Sequence, residues 1–204
     1  MKIAILGSAP SLKDAPNEGW EKWSIMSNWQ NTNLKVPVDK WFEFHSIAHL
    51  KKVGIRDEVL ASLEGMDNLW MLEPAYGAKR FPKEQVLKLG SYFTSSIAWL
   101  IGLAILTKPH TLGLFGCDLL LKEEYQRQRP CVEHLLGYAR GIGINIVIPS
   151  SSPILKGQLY CDDFAYELKM RSEAAEKELE SAKHKVSYWQ GVNDILEDIM
   201  VEKG

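Results

Sequence analysis

The sequence predicts an α/β fold in which a mainly parallel sheet carries helices on both faces and is followed by a long C-terminal helix or coiled coil. Two observations predict it. Short apolar segments alternate with segments of helical periodicity through about residue 150, as in chains that form parallel sheets. From residue 163 onward, alanine, glutamate and lysine dominate, and apolar residues recur at a heptad spacing that is typical of a long helix.

The composition indicates one main domain with an appended segment. The 204 residues are 46% hydrophobic and 25% charged, which suffices for one well-packed core. The formal net charge of -2 carries no long block of one sign, so neither nucleic acid nor an anionic membrane is an expected partner. The three cysteines form no C-x-x-C pair, and we expect no disulfide framework and no metal site. The N-terminus lacks a leader pattern, so we expect a cytoplasmic protein.

Six strands and three helices are predicted in the main domain. Runs of apolar and aromatic residues place the strands at residues 2–6, 23–27, 40–45, 68–71, 111–115 and 145–148. The helices are predicted at residues 56–63, 94–106 and 130–141. Thr94 or Ser95 is the expected N-cap of the second helix, and Pro130 is expected near the first turn of the third. Residues 72–92 are rich in glycine and proline and are predicted to be irregular, as a lid or an insertion over the sheet edge.

The segment 163–204 is predicted to be helical and to self-associate through residues 168–200. Leu179, Val186, Asn193 and Met200 occupy the a positions of a heptad seam. A single asparagine at an a position fixes the register and the number of strands in many coiled coils. The alternative is a helix, or a hairpin bent at Gly191, that folds back on the core of its own chain.

Polar residues follow several predicted strands, and the carboxyl ends of parallel strands form the ligand-binding rim of such sheets. The turn "LGSAPSLKDAP" follows the first strand and is either a phosphate cradle made of backbone N–H groups or merely a tight bend. Asn28 follows the second strand, Glu43 and His45 end the third, and Asp118 follows the fifth. These residues predict a nucleotide site that needs no metal.

Each of these residues also has a purely structural interpretation. Asn28 and Asp118 are common turn formers, and Ser95 is a helix cap. Glu43 and His45 would then form an ordinary strand edge. A third interpretation is a hydrolase or ribosyl-transfer enzyme in which Glu43 or Asp118 is a carboxylate nucleophile.

Four ordered segments resemble the bacterial CMP-sialic-acid-dependent sialyltransferases. They are "GSAPSL", "IMSNWQ", "TSSIAWLIGLAILTKPHTLGLFGCDL" and "LLGYARGIGINIVIPSSSPIL", and they span residues 1 to 155. The chain is also similar to bacteriophage-encoded proteins with a terminal helical tail, which would place it in the host cytoplasm. The resemblance implies a Rossmann-like nucleotide-binding domain over residues 1–160, with a nucleotide or nucleotide sugar, CMP-linked in that family, as ligand and no cofactor. It implies nucleotide contacts from Gly7, Pro10, Ser11, Asn28, Thr94, Ser95, Gly116 and Asp118, and we expect Ser8 of the same turn to be a ninth contact.

Two departures from that family bear on catalysis. The chain has Ser8 and Ala9 where the family has an asparagine-glycine step, which removes an amide side chain and a conformationally free residue. Gln126 stands near the family's histidine base and cannot accept a proton, so His45 or His134 would have to take that role.

Four residues are therefore the catalytic candidates: His45, Asp118, Tyr125 and Gln126, of which Tyr125 lies in a dense polar segment after the fifth strand. The predicted function is nucleotide-sugar binding with glycosyl transfer. The alternative is a non-catalytic, oligomeric phage assembly protein on the same fold, which Gln126 favours.

Overall fold

The chain is described by a computed structural model that covers residues 1–29, 31–54, 63–119, 123–157, 159 and 163–202, with side chains except at 123–126, 163 and 199–202. It forms two compact units, Met1–Leu155 and Lys156–Gly204. Within the described ranges, no helix is both long enough and apolar enough to cross a membrane.

The first unit contains a wholly parallel sheet of seven strands in the order β5-β4-β3-β2-β1-β6-β7. Successive strands step outward from β1 as far as β5, and the chain then returns to the other side of β1 to form β6. The strand order therefore reverses between β1 and β6. The strands are β1 Lys2–Leu6, β2 Glu21–Ile25, β3 Lys40–Glu43, β4 Leu69–Met71, β5 Lys79–Arg80, β6 Thr111–Phe115 and β7 Asn145–Val147.

Helices accompany both faces of this sheet, as predicted. They are α1 Ile47–Lys52, α2 Lys83–Val86, α3 Ser96–Thr107 and α4 Glu123–Gly141, with 3₁₀ turns at Pro10–Asp14, Met26–Asn28 and Leu87–Leu89. The second unit contains α5, Asp163–Glu202, a helix of 40 residues that runs through Gly191 without a bend into a hairpin.

Successive side chains of β1 point to opposite faces of the sheet, and the core has a layer on each face. Ile3 and Ile5 pack in the layer that contains the buried residues of α3 and α4, whereas Ala4 and Leu6 point to the opposite face. Leu12 of the first 3₁₀ turn covers that opposite face. Burial of both faces explains why β1 and β6 consist mostly of apolar residues.

Several boundaries differ from the sequence-based predictions. Strand β2 begins and ends two residues earlier than predicted, because the chain turns into a 3₁₀ helix at Met26. Strand β3 ends at Glu43 rather than at residue 45. The Glu43 carboxylate accepts hydrogen bonds from the N–H groups of Phe44 and His45, both at 2.8 Å, and so removes the donors that would have continued the ladder.

The helical predictions need two corrections. Helix α4 begins seven residues before Pro130, so the proline lies inside the helix and not in its first turn. A proline in a helix removes one N–H donor but does not always end the helix. Residues 72–92, predicted to be irregular, contain the edge strand β5 and the short helix α2. The helix predicted at residues 56–63 lies outside the described residues except for Leu63, which is in a turn.

Candidate functional site

The loops that follow β1 and β6 pass each other in direct backbone contact. The Gly7 N–H donates to Phe115 O at 2.8 Å, and the Ala9 N–H donates to Gly116 O at 2.9 Å. A Cβ atom on Gly7 would lie 2.1 Å from Gly116 O, and a Cβ atom on Gly116 would lie 2.5 Å from Gly7 O. The two loops can approach this closely only because both positions are glycine.

A buried hydrogen-bonded pair holds the crossing in place. Ser11 Oγ donates to one carboxylate oxygen of Asp118, and the Ser11 N–H donates to the other at 3.1 Å. The Gly116 N–H in turn donates to Ser11 Oγ at 2.8 Å. Because the amides of Gly7, Ala9 and Ser11 all donate within the protein, the turn after β1 is a tight bend. These three amides are not directed at a ligand.

Asn28 is also fully engaged inside the protein. Its side chain has no exposed surface. Its Nδ2 donates to Leu6 O and to Ser24 Oγ, both at 3.1 Å, and its Oδ1 accepts from Asn31 Nδ2 at 3.1 Å. Asn28 therefore joins the end of β2 to the end of β1. This role is structural, in contrast to the ligand contact predicted for Asn28.

A cavity of about 380 Å³ lies at the carboxyl ends of β1 and β6, where the strand order reverses. In parallel α/β sheets this is the place where ligands bind. Six of the nine residues predicted to contact a nucleotide line this cavity, as does His45. The six are Gly7, Ser8, Thr94, Ser95, Gly116 and Asp118. The other three, Pro10, Ser11 and Asn28, are not among the described residues of its wall.

The N-terminus of α3 forms one side of the cavity. Ser95 is the N-cap, as predicted, and its Oγ accepts a hydrogen bond from the Ala98 N–H at 3.1 Å. The amides of Ser96 and Ile97 belong to the first turn, where helix geometry supplies no acceptor for them, and both residues line the cavity. The positive end of the helix dipole thus faces the cavity and favours a negatively charged ligand.

His45 lines this cavity and forms a hydrogen-bonded pair with Glu43. His45 Nδ1 lies 2.7 Å from Glu43 Oε1, the oxygen that also accepts the two backbone N–H groups at the end of β3. Because this oxygen acts as an acceptor, it places the imidazole proton on Nδ1 and leaves the lone pair on Nε2. The His49 ring stacks on the His45 ring at a centroid distance of 4.9 Å and fixes its plane. The carboxylate is largely buried, whereas half of the His45 side chain is exposed.

Cys117 lines the same cavity but is chemically passive. Burial and, to a smaller extent, the negative charge of the adjacent Asp118 raise the pKa of its thiol to about 12. The thiol therefore stays protonated at neutral pH and is a poor nucleophile.

The other catalytic candidates fall on α4. Tyr125 and Gln126 are helical, and their side chains lie outside the described part of the chain. His134 is exposed, with its ring 6.2 Å from the Tyr92 ring, and is not part of the cavity wall. Gln128 also lines the cavity and was not predicted to do so, because the helix was expected to begin only at residue 130.

The described residues contain no group of three histidine, cysteine or acidic side chains close enough to hold a metal ion. Comparison with protein families, with characterised proteins and with solved structures gives no match. Fold and site together define a parallel α/β protein in which a helix N-terminus and His45, the hydrogen-bonded partner of Glu43, line one cavity at the point where the strand order reverses.

Proposed function

We propose that this protein binds a nucleotide or nucleotide sugar in the cavity at the carboxyl ends of β1 and β6 and transfers the glycosyl group to an acceptor hydroxyl. One observation carries the proposal. The N-terminus of α3 and the imidazole of His45 line the same cavity at the strand-order reversal. These are the two elements that such a transfer needs, namely a place for the phosphate and a base for the acceptor.

The phosphate is assigned to the N-terminus of α3. The first-turn amides of Ser96 and Ile97 supply donors, and the Thr94 hydroxyl adds another on the same wall. The Asp118 carboxylate is assigned to the sugar, because each of its oxygens retains a lone pair beyond its bond to Ser11 and would repel a phosphate. The loop after β1 contributes shape rather than amide donors.

His45 is assigned as the general base. Its Nε2 takes the proton of the acceptor hydroxyl while the acceptor oxygen forms a bond to the anomeric carbon. The bond between that carbon and the phosphate oxygen breaks at the same time, and the nucleotide leaves with the electron pair. The negative charge that develops on the phosphate then lies at the positive end of α3.

The hydrogen bonds argue against the carboxylate-nucleophile alternative. Both oxygens of Asp118 accept from Ser11, and the Asp118 side chain is almost fully buried. Glu43 Oε1 already accepts three hydrogen bonds at the strand end. A carboxylate that is held in this way orients its neighbours more readily than it attacks a sugar.

Thermal unfolding with CMP, CDP, UDP, ADP and NAD tests the binding. A ligand at about one hundred times its dissociation constant should stabilise the fold by about 2.7 kcal/mol. Thr94→Trp, which fills the cavity, should abolish that stabilisation, whereas Thr107→Trp at the other end of α3 should leave it intact. The proposal is wrong if no nucleotide stabilises the protein or if both variants respond like the parent chain.

A second candidate function, assembly through α5, is supported by an independent observation. The apolar seam residues of α5 are more than half exposed at Leu179, Val186, Trp189 and Leu196. A helix of 40 residues extends over about 60 Å, and an exposed apolar stripe of that length favours a partner helix. We propose that the partner is a second copy in a parallel coiled coil.

Charge complementarity supports a parallel pairing with a second copy. Glu178 occupies a g position and Lys183 the following e position, so opposite charges face each other between parallel chains. Arg171 and Glu176 repeat this arrangement one heptad earlier. Asn193 lies at an a position, where two copies in register would bring the two amides together.

Sedimentation of the full chain tests the assembly. Leu179→Asp combined with Val186→Asp should convert oligomers to monomers, because each change places a charge in the seam. The matched control is Ser181→Asp with Ser187→Asp, which puts the same charges on the same helix outside the seam. An unchanged subunit number in the seam variant would contradict this assignment.

A further inference from the structure

A second cavity, of about 250 Å³, adjoins the cavity at the carboxyl ends of β1 and β6, which is called the nucleotide cavity below, and shares part of its wall. The shared residues are Ile25, Ser27, His45 and Ser96. The imidazole of the Glu43–His45 pair therefore faces two neighbouring spaces of different character. A base in this position serves a reaction in which one partner occupies each space.

The walls of the second cavity are mostly apolar. Among the described residues these are Trp29, Phe42, Phe44, Leu50, Val53 and Leu63, together with Ile25 and Met26. Its polar side chains are Ser27, Glu43, His45, His49 and Ser96, and all but His49 stand at or next to the wall shared with the nucleotide cavity. Two of the large apolar side chains, Trp29 and Val53, are 41% and 58% exposed. Large exposed apolar side chains around a concavity are typical of a ligand site.

The size of the cavity limits its occupant. A cavity of about 150 Å³ accommodates benzene, and drug-sized ligands need roughly 300 Å³ or more. A space of about 250 Å³ thus fits one substituted ring. A sugar ring would bring several hydroxyl groups against Phe42, Leu50 and Val53, whose side chains offer no hydrogen bonds, and each unpaired hydroxyl weakens binding.

We propose that this second cavity binds the acceptor and that the acceptor is a small aromatic or alicyclic ring that carries one hydroxyl group. The inference rests on the proposed transfer function and specifies its substrate class. The ring packs against Trp29 and Phe44, and the hydroxyl points toward His45 Nε2 at the shared wall. The arrangement selects an apolar alcohol or phenol over a carbohydrate acceptor.

Ligand-detected NMR on the full chain tests the site, with phenol and benzyl alcohol as probes and methyl galactoside as the carbohydrate control. The two ring alcohols should bind, and methyl galactoside should not. Val53→Asp should weaken the binding of phenol about tenfold, because it places a charge in the apolar wall. Leu87→Asp is the matched control, since Leu87 is also an exposed apolar residue but lies outside the cavity, and it should bind phenol normally.

A second measurement uses the parent chain alone and does not depend on how the variants fold. With CMP and phenol both present, magnetisation transfer between the two ligands should be observed, because their cavities share a wall. If nucleotides bind but phenol does not, or if phenol binds both variants equally, the acceptor assignment is overturned and the nucleotide site stands. If phenol binds as expected but no nucleotide does, the transfer function fails and takes the acceptor role with it.

Discussion

Replacing Gly7 by alanine should destabilise the protein through a clash between two backbones. The new Cβ atom would lie 2.1 Å from Gly116 O and 2.7 Å from Gly116 C. These atoms belong to a main chain that is itself tied to β6, so no flexible side chain can move aside. The loops after β1 and β6 must separate by roughly 1 Å to restore an ordinary contact.

The cost follows from the contacts that the separation breaks. Overpacking in a rigid place costs about 1–3 kcal/mol. The two hydrogen bonds across the crossing, from the Gly7 N–H and the Ala9 N–H, contribute about 0.5–1.5 kcal/mol each. Alanine returns about 0.4–1 kcal/mol by restricting the unfolded chain. The free energy of unfolding should therefore fall by about 1–5.5 kcal/mol, a large part of a typical total of roughly 5–15 kcal/mol.

Urea unfolding, followed by circular dichroism and tryptophan fluorescence, measures this change. The matched control is Gly137→Ala in α4, where a Cβ atom meets nothing within 4 Å and alanine should stabilise the helix by about 0.5–1 kcal/mol. The reasoning is refuted if Gly7→Ala unfolds at the same urea concentration as the parent chain. It is equally refuted if the two variants shift in the same direction.

Three further outcomes are expected. Ser11→Ala should lower the free energy of unfolding by about 1–3 kcal/mol in urea titrations, because the buried Asp118 loses a donor; an unchanged midpoint would contradict the buried pair. Above about pH 9 the Cys117 thiol ionises in the unfolded chain while its folded pKa is about 12, so stability should decline as pH rises. In the Cys117→Ala variant, stability should decline less steeply with rising pH. If stability falls as steeply with pH in this variant as in the parent chain, the raised thiol pKa is contradicted. His45→Asn should slow transfer by about 10²–10⁴-fold and leave nucleotide affinity unchanged. Glu43→Gln should give a smaller loss of rate. A loss of nucleotide affinity as large as the loss of rate would instead assign His45 to binding.

The sheet was predictable because its signals are local. After their first residues the runs Lys2–Leu6 and Thr111–Phe115 are apolar, as strands buried on both faces must be, and both were predicted at their observed bounds. The cap at Ser95 was predictable for the same reason, since a hydroxyl before an apolar helix has one common use. Periodicity over a few residues was enough.

The roles of the polar residues were less predictable, because those roles depend on distant partners. Ser11 and Asp118 are 107 positions apart, and nothing in either neighbourhood shows that each satisfies the other. A buried polar residue with an internal partner and one that awaits a ligand look alike in a sequence. The rim of the sheet was located correctly, and six of the nine residues assigned to it line one cavity. The division between structural and ligand-facing side chains required the three-dimensional pairing.

The carboxylate of Glu43 links a boundary of the fold to the position of a reactive group. The oxygen that stops β3 also receives the imidazole N–H, so the length of a strand and the aim of a base depend on one atom. Were the strand to run two residues further, the alternation of side chains would turn residue 45 to the same buried face as Trp41. In the proposed transfer reaction, a substitution that lengthened β3 would therefore also displace the base.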